Sequence, residues 1–167
     1  MKTLNSFLLS IFVIFTISSC GYQLRGSINI EGLENVNIIS DRKNNITRIL
    51  QQKLSPYQQD NSNKSEYPSI RILSIDIKKR QLSVNSSGRV DEYEINKTIR
   101  YEFIYSEKNV VTGVLKSSAS YDFNESQMQG TRERENIAVG TIDQNLVRKL
   151  LLKFKAKFKA KLKANST

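Results

Sequence analysis

Histidine and tryptophan are both missing from this 167-residue chain, and cysteine occurs once. Without histidine there is no Ser-His or Cys-His nucleophile pair and no imidazole metal site, and a single thiol cannot build a cysteine cluster. Cys20 likewise has no partner for a disulfide within the chain. Seven glycines and two prolines are all the chain has, and no phosphate-cradling glycine loop stands among them. Carboxylates remain, with Asp91 and Glu92 the closest pair. Neighbours on a strand point to opposite faces, a poor arrangement for paired acid–base work. The residues predict a protein that is not an enzyme and uses no metal or cofactor.

Long hydrophobic runs are nearly absent too. The one exception, Phe7 to Ile17, follows the positive Lys2 and ends in Ile17-Ser18-Ser19-Cys20. Eleven residues are too few to span a bilayer, which takes roughly 20. Residues 1–19 therefore read as a lipoprotein signal peptide and Cys20 as the acylated residue, the covalent lipid forming a two-part anchor. The alternative is a plain secretory signal with a chance cysteine. Gly21, rather than an aspartate, follows the cysteine, which resembles lipoproteins forwarded to the outer membrane.

Acidic charge is lacking at one end only. The whole chain carries a net +10, of which Lys2 is one unit. Eight basic residues lie from Arg148 onward with no acid among them, so the rest of the mature chain is close to neutral. A near-neutral domain with a cationic end argues against a nucleic-acid-binding face. The 148 residues after the leader suit one domain.

Along the chain, Asn35 to Ile39 alternates as a half-buried strand should. Asn44 and Asn45 can cap a helix carrying Ile46, Ile49, Leu50 and Leu54 on one stripe, with Pro56 ending it. In the next strand Ile70 and Ile72 fall out of phase with Ile75 and Ile77, which predicts a β-bulge near Leu73-Ser74. Lys78-Lys79-Arg80 lean toward an exposed edge. Asn85 to Arg89 reads as a hairpin turn with Gly88 left-handed. The return strand places Tyr93, Ile95, Ile99, Tyr101, Phe103 and Tyr105 on one face, interrupted only by Lys97. Glu94, Asn96, Thr98, Arg100 and Glu102 take the other. A fourth strand runs from Val111 to Phe123, its small Gly113, Ser117 and Ala119 leaving room for a helix. Asn124 or Thr131 can cap the last helix. Gly130 and Gly140 each cost about 1 kcal/mol relative to alanine, so that helix is expected to start properly only after Thr131. Ile142, Leu146, Val147, Leu150, Leu151 and Phe154 form its stripe. The fold class is α+β, two helices on one face of a four-stranded mixed sheet in the order β-α-β-β-β-α.

Cys20-Gly21-Tyr22-Gln23-Leu24-Arg25 directly after a lipobox resembles the start of the LPS-assembly lipoproteins, the LptE family. Asp91-Glu92-Tyr93 after a glycine turn, Gln127-Met128 ahead of a charged helix start, and Leu146-Val147-Arg148-Lys149-Leu150 also look alike. The resemblance covers Cys20 to about Leu151, and the chain divides as signal 1–19, LptE-like domain 20–152 and Lys-rich tail 153–167. What the resemblance implies is residence in the lumen of the outer-membrane β-barrel LptD, as plug and assembly partner of the LPS translocon. It implies contact with lipopolysaccharide through basic residues at the hairpin tip and at the start of the second helix. Here those are Arg89, Arg132 and Arg134, the last as a substitute. The anchor on Cys20 would hold the protein to the inner leaflet of the outer membrane, on its periplasmic side. A polar sheet face suits a wet barrel interior, though a solvated face would read the same. A pilotin-like escort for another outer-membrane pore is the rival reading, and a free lipid carrier a third. From Lys153 to Ala164 the tail repeats a four-residue unit three times, with Phe154, Phe158 and Leu162 in the apolar position. It is either a solvated helix end favoured by the macrodipole or an amphipathic segment that meets anionic headgroups or LPS phosphates.

Overall fold

The computed structural model describes residues 33, 35–41, 43–57 and 68–164, with side chains to residue 160. The signal region and Cys20 lie outside the described residues. A short first strand, β1 (Asn37–Ser40), leads to helix α1 (Asn45–Leu54). Three long strands follow, β2 (Ser69–Val84), β3 (Val90–Ser106) and β4 (Asn109–Asp122), and then helix α2 (Met128–Ala164). The sheet order is β1-β2-β3-β4, parallel between β1 and β2 and antiparallel thereafter. This is the β-α-β-β-β-α arrangement expected from the pattern. β1 begins two residues later than the alternation suggests, because Asn35 takes a left-handed φ of 60°.

Local chemistry explains the boundaries. Asn44 caps α1, its side-chain oxygen accepting from the Thr47 amide at 2.8 Å. Pro56 falls in a 3-10 turn at Ser55–Tyr57 that closes the helix. The register of β2 against β3 slips between Ile72 and Ser74, the bulge that the isoleucine phase required. Through that slip Ile70, Ile72, Ile75 and Ile77 all face the same side, opposite Phe103, Tyr101, Ile99 and Lys97. β1 pairs only with Ser69 to Ile72, so beyond that point β2 is itself an edge. Lys78, Lys79 and Arg80 occupy that edge.

The start of α2 departs from expectation. Asn124 caps a 3-10 turn (Glu125–Gln127) that runs into the helix at Met128, ahead of Thr131. Thr131 is buried inside the first turns, its hydroxyl exchanging hydrogen bonds with the Asn124 amide and carbonyl, each at 3.1 Å. Tertiary contacts thus override the glycine penalty.

Both helices pack on the inner face of the sheet. Ile46, Leu50 and Leu54 of α1 join Ile70, Ile99 and Phe103 of the sheet in one core with Ile142, Leu146, Leu150 and Phe154 of α2. Each fully buried side chain of this size contributes about 1.5–3 kcal/mol. The room expected at Gly113 is filled by a neighbour on the sheet rather than by the helix. The Tyr101 ring lies over it, where a Cβ would collide. α2 also protects the free side of β4, where every second carbonyl points off the sheet. The Lys149 ammonium donates to the Lys116 carbonyl at 2.9 Å and the Arg134 Nε to the Asp122 carbonyl at 3.1 Å.

Candidate functional site

The β2–β3 tip and the β4–α2 junction meet at one end of the sheet. The tip is closed by its own backbone: Gly88 adopts φ 74°, and the Asn85 side chain accepts from the amides of Ser87 at 3.0 Å and Arg89 at 3.1 Å. Across from it, the Phe123 amide donates to the Asp91 carbonyl at 2.7 Å. Between them lies an open cleft of about 480 Å³ lined by Asn85, Arg89, Asp91, Phe123 and Glu125 among others. Arg89 reaches across to Glu125 at 3.5 Å, an ion pair with both side chains largely exposed. Such a pair is worth at most about 1 kcal/mol, so Arg89 is readily exchanged onto a phosphate.

The three candidate arginines, Arg134 among them as a substitute for Arg132, are therefore brought to one end but held differently. Arg132 is exposed on the first turns of α2 and makes no ion pair among the described residues; neither Glu133 nor Glu135 takes it. Arg134 is half-buried and committed to the Asp122 carbonyl, with a further contact to the Thr131 hydroxyl at 3.4 Å. Asp91 and Glu125 temper the positive charge of the cleft. The arrangement offers guanidinium donors to phosphate oxygens.

Below the tip the inner face is polar in an ordered way. Lys79 lies 4.5 Å from the Tyr93 ring centroid and 5.1 Å from that of Tyr121, and contacts both Glu135 oxygens at 3.1 Å. Burial works against its charge, but Tyr121 and Glu135 outweigh it and raise the pKa above the usual lysine value. Further in, Lys97 and Asp143 form a buried ion pair at 2.5 Å, exposed by only 5% and 0%. Asn45, the first residue of α1, donates to the other Asp143 oxygen at 2.7 Å. One carboxylate thus ties strand β3, helix α1 and helix α2 together. The sequence pattern had marked Lys97 as a break in an apolar face. Its partner shows only as an acid inside the α2 stripe, next to Ile142.

The opposite sheet face carries no described element. It presents Glu94, Asn96, Thr98 and Arg100 from β3, with ion pairs Arg71–Glu102 at 3.1 Å and Arg80–Glu94 at 2.5 Å. Arg80 and Asn96 hold the Glu94 carboxyl below its ordinary pKa. Among the described residues no group of His, Cys, Asp or Glu is arranged to hold a metal ion, and no helix is long and apolar enough to cross a membrane.

The fold is shared with several bacterial lipoproteins. It matches the rare lipoprotein B of Shewanella oneidensis with a TM-score of 0.62 at 15% identity, covering 77% of this chain and 98% of that one. It matches an uncharacterized lipoprotein B of Nitrosomonas europaea at 0.65 and 22% identity, covering 86% and 96%. A minor lipoprotein of Acinetobacter baumannii matches at 0.57 and 15% identity, covering 73% and 90%. No curated protein sequence matches. The sequence model of the family described as "LptE: Lipopolysaccharide-assembly" matches residues 27–154, well over half of the chain. With the sheet, α1, the arginine-bearing end and α2 as far as Phe154 inside that span, the chain belongs to the LptE family of lipopolysaccharide-assembly lipoproteins.

Proposed function

We propose that the protein is the lipid-tethered partner of an LptD barrel, seated in its lumen as a plug and delivering LPS to the outer leaflet. It acts by binding and positioning, without chemistry of its own. Cleavage after Ser19 leaves Cys20 to carry the lipid, on the periplasmic side of the outer membrane. The observation that carries this reading is the uncovered sheet face, tiled with Glu94, Asn96, Thr98, Arg100 and Glu102. A face with that polarity suits the wet wall of a large barrel. Most apolar side chains of the inner face, the exposed Ile77 excepted, are used up by the helices, which disfavours a free lipid carrier. LPS phosphates are met at the arginine end, by Arg89 and Arg132 first and Arg134 next.

A mild-detergent pull-down through a C-terminal tag tests the partnership. A many-stranded LPS-export barrel should co-purify, and depletion should halt LPS export. Recovery of a secretin instead would favour a pilotin-like escort. Recovery alone, from cells that export LPS normally without it, would end the proposal. Arg89→Ala and Arg132→Ala should each weaken LPS binding about tenfold to a hundredfold, the value of a charge-assisted hydrogen bond, with the fold unchanged by circular dichroism.

A further inference from the structure

The end of the molecule opposite the arginine tip carries the densest positive charge, and its geometry is settled by an aromatic stack. Phe154 is fully buried, edge-on to Phe103 at 5.0 Å and stacked on Tyr105 at 5.4 Å. Phe158 stacks on Tyr105 at 6.0 Å and on Phe154 at 6.1 Å. The apolar stripe of the tail is therefore docked on the sheet as far as Phe158. Phe154 and Phe158 are thus engaged by the fold rather than offered to a bilayer.

What faces outward is different. Leu152, Ala156 and Ala160 are exposed on the side away from the phenylalanines, flanked by exposed Lys153, Lys157 and Lys159, with exposed Arg148 one turn before Leu152. One leucine and two small alanines between basic side chains make a cationic comb. The helix macrodipole does not account for it, because that effect fades within the last turn, whereas the acid-free run begins at Arg148 and the helix ends at Ala164. Lysines four apart also repel each other along the helix, a cost that an external anion would offset.

The comb lies where the tether arrives. β1 starts at Asn37 opposite Ser69, which pairs with Ile104, next to the Tyr105 of the stack. Leu33 and Val36, leading into that strand, are buried in the same core. The twelve residues between Cys20 and Leu33 reach at most about 45 Å. We infer that the exposed lysine comb of α2 docks electrostatically on the anionic headgroups of the bilayer to which the chain is tethered. The inference rests on the membrane-tethered reading only for the choice of surface; the charge, its exposure and the docked aromatics stand without it.

The test uses the mature chain with Cys20→Ser, so neither the acyl anchor nor a barrel takes part. Removing residues 153–167 would be misleading, since it takes Phe154 out of the core. The comb variant is instead Lys153→Gln, Lys157→Gln and Lys159→Gln together, with a Lys→Arg set at the same positions as charge-keeping control. Co-sedimentation is measured with vesicles of phosphatidylcholine alone and of equal parts phosphatidylcholine and phosphatidylglycerol. The unmodified chain should bind only the anionic vesicles and should release when salt rises from about 0.05 M to about 0.5 M, as screening shortens. The glutamine set should bind about tenfold or more weakly, each surface lysine being a substantial share of such affinity, with unchanged thermal melting; the arginine set should bind as the parent does. No binding at low salt, equal binding to neutral vesicles, or full binding by the glutamine set would each overturn the inference. Failure of the barrel pull-down would leave this result standing, and the reverse holds too.

Discussion

Lys97 and Asp143 are the two charges taken out of water among the described residues, and they are not equal to any surface pair there. Burying an ion pair gains little over a well-packed apolar pair, but stranding one of its members is expensive. Asp143→Ala should therefore cost about 3–5 kcal/mol in urea unfolding, since Lys97 is left charged and buried. Lys97→Met with Asp143→Leu should recover most of that loss; a double variant as unstable as the single one would show that Asp143 matters through Asn45 instead. Tyrosine burial makes a second mark. Burial raises the Tyr105 hydroxyl from about 10 to about 12, and Tyr101 and Tyr121 are raised for the same reason. A raised pKa means stability that is complete below pH about 10 and lost as the pH climbs through about 12. Lys79, also raised, loses its ammonium contacts over the same alkaline side. The urea midpoint should fall over that window, and Tyr105→Phe should blunt the fall. At this scale the sequence was half legible: Lys97 stood out as an intruder among aromatics, while Asp143, 46 positions away, could be matched to it only by knowing how α2 lies on β3.

Elements show which local signals survive packing. The isoleucine phase shift in β2 was readable because side-chain direction alternates strictly, and only an extra residue repairs it. The start of α2 was not, because its glycines argued against a helix that Thr131, Arg134 and the Ala138 contact then hold in place. Gly113 was legible as a place of close approach, with the wrong occupant named. Since the Tyr101 ring fills the space above it, Gly113→Val should destabilise by about 1–3 kcal/mol through overpacking, and Tyr101→Ala in the same chain should relieve the clash while opening a cavity. Thermal melts of the two single variants and the pair would read that coupling.

The whole molecule is a two-ended object. Sheet order puts the chain's arrival at β1 and the lysine comb at one end, and the hairpin tip with Arg89 and the start of α2 at the other. A photo-crosslinker at residue 132 should capture LPS or barrel in cells, whereas one at residue 159 should capture phospholipid; exchanged products would reverse the orientation. Lys149 and Arg134 sit on the helix, yet the carbonyls they cover belong to the ribbon. Loosening α2 therefore uncovers a sticky border at once, so turbidity on heating should rise together with loss of helix signal, and Lys149→Ala with Arg134→Ala should polymerise at temperatures where the parent stays clear. The protein keeps its safeguard and its scaffold in the same element, and it gives up both in one step.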